Sequence, residues 1–207
     1  MPVMRIRSSW AAGAIGLALF VTAACGGART ETPAATPTPD PPAAAPTRSP
    51  DVIFVPTRDE VVEGMLNLAK VSAKDVVYDM GSGDGKIVIA AARRGARGTG
   101  IDIDPQRIAE ANANAKAAGV THLVTFKLED AMTTDVSQAT VVTLYLLSSS
   151  NLKLRPILTR QLKPGTRIVA HNFAMGDWEA EKIETFQDKE GRSRTIYRWT
   201  ADGRVRQ

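Results

Sequence analysis

The chain has 207 residues, of which 43% are hydrophobic and 23% are charged, a balance typical of a soluble domain with a packed core. The formal net charge of +4 is mild and does not indicate a nucleic-acid partner. Cys25 is the one cysteine in the sequence, so an intramolecular disulfide is excluded. The length suits one domain of ordinary size together with short additional segments.

The first 25 residues have the features of a secretory signal. Arg5 and Arg7 precede an uncharged run from Trp10 to Ala24. A helix over this run would reach roughly 22 Å, short of the ~30 Å hydrocarbon core of a bilayer. The run ends in "TAACGG", which resembles a bacterial lipoprotein box and implies cleavage and lipidation at Cys25. The alternative is a short anchor that carries an ordinary buried thiol.

Residues 26–50 are predicted to form a disordered tether. Seven of these 25 residues are Pro, six are Ala and five are Thr. A segment of this composition buries too little apolar surface to fold. We therefore expect a signal over residues 1–25, a linker over 26–50 and a folded domain over 51–207.

The folded domain is predicted to alternate strands and helices. Thr57 and Glu60 have the spacing of a capping box that begins the first helix. Strands are predicted at Val76–Met80, Thr99–Ile103, within Val120–Leu128, and at 139–147, 162–173, 179–187 and 192–201, with helices at Gly85–Arg94, 104–118 and Ser150–Leu162. This alternation predicts an α/β fold with a mostly parallel sheet and helices on both faces.

The loop "DMGSGDGK" follows the first predicted strand, with Gly81, Gly83 and Gly85 at alternate positions. A nucleoside-triphosphate loop needs G-x-x-x-x-G-K-[S/T], but Met80 and Ile87 stand at its first and last positions. The dinucleotide pattern G-x-G-x-x-G would need Gly at position 86, where the chain has Lys. Neither phosphate-binding pattern fits this loop.

Asp79 lies near the end of the first strand, so the full pattern is acidic-x-Gly-x-Gly-x-Gly. This pattern resembles motif I of the Rossmann-like, seven-strand methyltransferases that use S-adenosylmethionine (SAM). The resemblance implies that the loop, including Ser82, cups the amino-acid end of SAM. Its glycines allow close approach of the backbone, and its N–H groups near the next helix suit a carboxylate. Asp79 would accept from the SAM amino group or orient the loop.

Two further carboxylates stand where the same resemblance requires them. Asp102 follows Asp79 by 23 residues and would accept from both ribose hydroxyls. Asp130, in "LEDAM", would bond the adenine amino group. Each residue also has a plainer interpretation, as a turn glycine or a solvated carboxylate. Their order along the chain favours SAM.

The segments "FVPTRDEVVEGMLNLA", "GIDIDPQRIAEANANA" and "LRPILTRQLKPGTRIVAHNF" resemble small bacterial relatives of the seven-strand protein-lysine methyltransferases. That group includes the mitochondrial enzymes that methylate the c-ring protein of ATP synthase. The resemblance implies a strap at Phe54–Thr57 that folds over the cofactor, which makes Thr57 a SAM contact, a helix cap, or both. Tyr145, after the fourth strand, would line the path of the substrate or simply pack in the sheet.

We therefore predict a SAM-dependent methyltransferase that acts on a protein lysine. The alternatives are a catalytically silent SAM- or nucleoside-binding module at the membrane surface and a small-molecule methyltransferase. The sequence lacks the Asn/Asp-Pro-Pro-aromatic motif of base-methylating enzymes, so no nucleic-acid acceptor is expected. No Cys/His/Asp cluster has metal-ligand spacing, so no metal is expected.

Three other features of the domain have less specific interpretations. His171 is expected to be a hydrogen-bonded structural residue rather than a general base. Trp178 either covers the pocket or packs on the sheet. Arg192, Arg194 and Arg198 alternate along a predicted strand and are expected to form a solvated face, or else a surface for an acidic partner.

The location predicted from the N-terminal segment conflicts with the predicted cofactor. The signal indicates a membrane-anchored lipoprotein on the extracytoplasmic face, whose acceptor could be a membrane protein. SAM, however, is made and kept in the cytoplasm. The alternative is a cytoplasmic domain whose first ~50 residues are a misassigned start.

Overall fold

The computed structural model describes residues 54–207, so the predictions for the signal, Cys25 and the tether lie outside the described residues. The strands are β1 (Val76–Met80), β2 (Arg97–Asp102), β3 (Val124–Leu128), β4 (Val141–Leu144), β5 (Arg167–His171), β6 (Lys182–Gln187) and β7 (Ser193–Thr200). The helices are α1 (Asp59–Leu68), α2 (Lys86–Arg93), α3 (Pro105–Ala117) and α4 (Ser148–Gln161).

The seven strands form one sheet in the order β3-β2-β1-β4-β5-β7-β6. Strands β1 to β5 pair in parallel, whereas β7 pairs antiparallel with both β5 and β6. The predicted mostly parallel, seven-stranded Rossmann-like sheet is therefore confirmed. Among residues 54–207, no helix is both long enough and apolar enough to cross a bilayer.

Side chains of the central strands alternate between two hydrophobic clusters, one on each face of the sheet. Val141 and Val169 pack with α1 and α2 on one face. Val142 and Ile168 pack with α4 on the other face. Successive strand residues point to opposite faces, so a continuous apolar run in the sequence fills both clusters at once.

The first helix begins differently from the prediction. Its N-cap is Arg58, and no side chain caps it, so the predicted Thr57–Glu60 capping box is wrong. Glu60 instead accepts a hydrogen bond of 3.1 Å from the backbone N–H of Lys189, in the turn between β6 and β7. Asp104, by contrast, caps α3, since its carboxylate accepts from the N–H of Gln106 at 2.8 Å.

The arginines of β7 do not form the predicted solvated face. Arg194 donates from two nitrogens to the buried carboxylate of Asp188, at 2.9 and 2.8 Å. Arg198 pairs with Glu181 at 3.1 Å, and its side chain is only 15% exposed. Arg192 is the member of the set whose side chain remains half-exposed, at 54%. The expectation fails because Asp188 of the β6–β7 turn pairs with Arg194, and Glu181, just before β6, pairs with Arg198.

Candidate cofactor and acceptor site

A cavity of about 280 Å³ lies at the carboxyl ends of β1, β2 and β4, beneath the strap Phe54–Thr57. At this position the strand order changes direction, because β1 lies between β2 and β4. Open α/β sheets bind their ligands at such switch points. The cavity has two chemically different ends, one lined with carboxylates and one lined with apolar and aromatic side chains.

Asp79 lies on β1 at the floor of the cavity and is almost completely buried. Its carboxylate accepts a hydrogen bond of 2.7 Å from the hydroxyl of Thr143, its neighbour on β4. Burial raises the pKa of Asp79 to about 7, and the negative charges of Asp102 and Asp84 act in the same direction. The carboxyl group therefore changes its charge near neutral pH and favours a cationic partner.

Asp102, at the end of β2, holds two backbone segments with one carboxylate. One oxygen accepts from the N–H of Gly83 at 2.7 Å, and the other accepts from the N–H of Asp104 at 3.0 Å. Each carboxylate oxygen has a second lone pair, so the group can still accept from a ligand. Asp102 borders the cavity, as does Asp130, which accepts from the N–H of Met132 at 2.9 Å.

The glycine loop has a different role from the one predicted for its N–H groups. Gly81 and Ser82 both donate to the carbonyl of Ile101, at 2.9 and 2.8 Å, and Gly83 donates to Asp102. These donors are therefore already used within the protein. Lys86, the first residue of α2, borders the cavity as a cation, and its ammonium forms an exposed ion pair of 3.2 Å with Asp59.

The strap contacts the loop through Phe54. A Cβ added to Gly83 would lie 2.1 Å from the ring of Phe54, so the residue at this position must be Gly for the ring to lie so close. The guanidinium of Arg107 lies 4.7 Å from the centroid of the same ring, within cation–π distance. Thr57, further along the strap, is buried and borders the cavity.

The apolar end of the cavity follows β4 and β5. Tyr145 is followed by Leu146 and Leu147, and Phe173 comes from the loop after β5. The rings of Tyr145 and Phe173 lie 6.4 Å apart, centroid to centroid. None of these four residues is charged, which makes this end suited to an acceptor that arrives desolvated.

His171 differs from expectation, whereas Trp178 follows the second of its two predicted alternatives. His171 is buried, but neither of its ring nitrogens has a hydrogen-bond partner among residues 54–207, so the predicted hydrogen-bonded role is wrong. Burial and the nearby charge of Arg194 lower the pKa of His171 to about 4, and the ring is neutral at physiological pH. Trp178 packs against Trp199 and Arg206 and does not border the cavity.

Most of the predicted site residues meet around this one cavity. Those that border it are Thr57, Asp79, Gly81, Ser82, Asp102, Asp130 and Tyr145. Gly83 and Gly85 do not border it: the first faces Phe54, and the second packs against Phe126 and Ala111. Sequence reasoning missed Asp84 and Phe173, which lies two residues beyond the end of β5.

Comparison with a solved structure identifies the class. An RNA methyltransferase from Salinibacter ruber, solved in complex with S-adenosyl-L-homocysteine, is 55% identical in sequence and superimposes with a TM-score of 0.68. The comparison covers 74% of this chain and 97% of that protein. The fold and the cavity therefore define a Rossmann-like methyltransferase that uses SAM.

The particular family follows from sequence comparison. Residues 79–182 match the family described as "ANTKMT methyltransferase domain", and the chain belongs to it. A protein-lysine N-methyltransferase of Saccharolobus islandicus is 43% identical over 141 residues, which cover 67% of this chain and 88% of that protein. The human lysine N-methyltransferase of the ATP synthase C protein is 28% identical over 130 residues, 63% of this chain. The match spans 55% of the human protein's length.

The donor and acceptor groups of the cavity fit SAM. The cofactor carries an ammonium group, two ribose hydroxyls and an adenine amino group, all of which donate hydrogen bonds. The carboxylate end offers Asp79, Asp102 and Asp130 as acceptors, distributed over the ends of β1, β2 and β3. The fit is therefore one of complementary hydrogen bonding and charge.

We expect Gly83→Ala to weaken SAM binding by roughly tenfold, equivalent to about 1.4 kcal/mol, because the new Cβ displaces Phe54 from the strap. Gly119→Ala is the matched control. Gly119 also has a positive φ, at +71°, but a Cβ there meets nothing within 4 Å. Both variants should lose about 1 kcal/mol of unfolding free energy in urea. Equal SAM affinities of the two variants in calorimetry would show that Phe54 does not cover the cofactor.

We also expect SAM affinity to fall by roughly fivefold from pH 7 to pH 6, because protonation of Asp79 removes the charge that attracts the cofactor's ammonium group. The stability of the protein without SAM has the opposite pH dependence. Since folding raises the pKa of Asp79 from 3.8 to about 7, its contribution to stability is lost as pH rises through 7. Both trends should be weaker in Asp79→Asn, measured by calorimetry and by urea unfolding. Identical pH profiles in the two proteins would contradict this assignment.

Proposed function

We propose that this methyltransferase acts on the side-chain amine of a lysine in a protein. The observation that carries the proposal is the uncharged acceptor end of the cavity, formed by Tyr145, Leu146, Leu147 and Phe173. A free lysine has a pKa near ~10.4 and must become neutral before its nitrogen can attack. Burial among apolar side chains lowers the pKa of an amine and so supplies the neutral form.

We assign the cofactor contacts as follows. Asp79 accepts from the ammonium group of SAM, Asp102 accepts from the ribose hydroxyls, and Asp130 accepts from the adenine amino group. Lys86 pairs with the carboxylate, since the N–H groups of Gly81 and Ser82 are used within the protein. Its ion pair with Asp59 is solvent-exposed and weak, so the ammonium can turn toward the cavity.

The chain's own residues align the reaction rather than perform acid–base chemistry. When bound, SAM supplies a methyl group that leaves a sulfonium sulfur as its bond to the acceptor nitrogen forms, so that positive charge passes from sulfur to nitrogen. Tyr145 lines the approach of the acceptor, and Leu146 and Leu147 exclude water from it. The strap at Phe54–Thr57 covers the cofactor end of the cavity.

RNA is the second candidate acceptor, because the Salinibacter ruber protein is described as an RNA methyltransferase. Charge at the cavity favours a cationic acceptor instead. Among residues 54–207, two cations border the cavity, Lys86 and Arg107, whereas six carboxylates do so. The six are Asp79, Asp84, Asp102, Asp104, Glu129 and Asp130. Nucleic-acid binding depends on Lys and Arg contacts to phosphate, and an acidic border repels the phosphates.

We expect the full-length protein, given SAM with a tritiated methyl group and a bacterial cell extract, to label lysines in protein. The label should disappear with protease, persist with RNase, and map to lysine by mass spectrometry. Asp102→Ala should abolish both SAM binding and labelling. The control, Asp202→Ala, removes a carboxylate that pairs with Arg206 and does not border the cavity.

The other outcomes of this assay each contradict the proposal. Label that persists with protease and disappears with RNase would make RNA the acceptor. Label found only in small solutes would indicate a small-molecule methyltransferase. SAM binding without any label would indicate the catalytically silent binding module.

We also propose, from residues 1–25 alone, that Cys25 is lipidated and that the domain lies on the extracytoplasmic face, where a membrane protein is the natural acceptor. We expect a lipid mass on Cys25 and processing that globomycin blocks. An unmodified full-length chain in the cytosol would contradict the anchor and would place the domain in the cytoplasm.

A further inference from the structure

The loop after β5 directs an aromatic side chain into the acceptor end of the cavity by means of a strained turn. Asn172 has a positive φ of +60°, which is uncommon for a residue other than Gly. The N–H of Phe173 donates to the carbonyl of His171 at 2.8 Å, closing a three-residue turn around Asn172. A γ-turn with positive φ at its centre is the rare, strained form. Strain of this kind persists only where surrounding contacts hold it in place.

Those surrounding contacts come from two other elements. The N–H of Asn172 donates to the carbonyl of Thr195 on β7 at 2.7 Å, and its side-chain oxygen accepts from the N–H of Thr195 at 3.2 Å. On the other side, the amide of the buried Asn151 on α4 donates to the carbonyl of Phe173 at 2.9 Å. Phe173 is therefore fixed through its own backbone rather than by loose packing.

The ring of Tyr145 packs against a neutral ring that does not border the cavity. The imidazole of His171 lies 4.1 Å from the Tyr145 ring, centroid to centroid, and His171 does not border the cavity. Because the pKa of His171 is lowered to about 4, the imidazole carries no charge at neutral pH. The imidazole therefore does not cancel the negative electrostatic potential at the face of the Tyr145 ring.

Tyr145 and Phe173 border the cavity together. Their rings are inclined by 27°, and their centroids are 6.4 Å apart, too close to admit a methylated ammonium between the two faces. The two rings therefore form a single wall rather than a slot. Aromatic faces attract cations, and quaternary ammonium groups are a recurrent ligand of such surfaces.

We propose that Tyr145 and Phe173 form an aromatic wall that binds the acceptor nitrogen in its cationic, methylated form, and that the turn at Asn172 positions this wall. The proposal rests on the proposed function, since it concerns the nitrogen that receives the methyl group. The wall stabilises positive charge where that charge develops, on the acceptor side of the cavity. It also retains a partly methylated amine, whose nitrogen can receive a further methyl group once it has released its proton to solvent.

The test uses two small probes of nearly equal shape, choline and its neutral analogue 3,3-dimethylbutan-1-ol. Full-length protein saturated with S-adenosylhomocysteine is titrated with each probe, and binding is measured by saturation-transfer NMR. We expect the wild type to bind choline roughly 3- to 30-fold more tightly than the neutral probe. If the wild type binds the two probes with equal affinity, the proposal is wrong, whatever the variants show.

Variants of the wall and of the turn then show where the preference for choline arises. Tyr145→Leu and Phe173→Leu should each reduce it by at least about threefold, whereas Tyr145→Phe and Phe173→Tyr, which keep the ring, should retain it. Asn172→Gly should also retain it, because Gly adopts positive φ without strain, and Asn172→Val should lose it. A choline preference that survives both Leu substitutions would place the cation elsewhere.

The result of the probe-binding test can be distinguished from the result of the lysine-labelling test. Affinity for S-adenosylhomocysteine, measured on the same samples, reports the cofactor end and should change less than about twofold in the ring variants. A protein that labels lysine but shows no choline preference would refute the wall and leave the proposed function intact. A protein with the preference but no lysine labelling would refute the proposed function instead.

Discussion

The carboxylate of Asp102 is the interaction on which the site depends. It accepts from Gly83 with one oxygen and from Asp104 with the other, so one side chain fixes both the loop after β1 and the start of α3. Bonds from backbone N–H groups to a carboxylate are charge-assisted and short. Asp102 also borders the cavity, so the group that orders the loop is a group that can bind the ligand.

The cavity separates two kinds of chemistry because different strand ends supply its two halves. Strands β1 to β3 end in carboxylates, whereas β4 and β5 end in Tyr145 and in the turn that carries Phe173. Carboxylates therefore stabilise positive charge at one end of the cavity, and aromatic faces stabilise it at the other. The aromatic surface lies on the acceptor side, where an amine becomes positively charged as it receives the methyl group, which suits methyl transfer to an amine.

The sequence predicted the features that depend on neighbouring residues. Strand β1 and the presence of seven strands in a mostly parallel sheet follow from apolar runs and from the alternation of elements. The errors involve partners that are distant along the chain. Glu60 bonds Lys189 instead of capping α1, and Arg194 reaches a buried carboxylate in the β6–β7 turn. No local pattern carries information of this kind.

The same distinction, between local and distant contacts, separates the site residues that were predicted from those that were not. The acidic residues and Tyr145 were predicted from the resemblance to SAM methyltransferases, and they meet because the carboxyl ends of parallel strands lie at one edge of the sheet. Phe173 was not, because its direction depends on a positive φ at Asn172 that Thr195 of β7 stabilises from 23 residues away. The use of the loop N–H groups by Ile101 was equally hidden, since it follows from the register between β1 and β2.

Asp79 shows why such a site requires a cationic ligand. A carboxyl group buried beside Asp102 and Asp84 is ionised at a cost, which is expressed as a pKa raised to about 7. An ammonium group bound next to Asp79 offsets that cost, so part of the binding free energy comes from compensating the burial and repulsion of this carboxylate. Ligands that bind only the folded state also stabilise it. A cationic ligand at Asp79 is therefore expected to stabilise the fold as it binds.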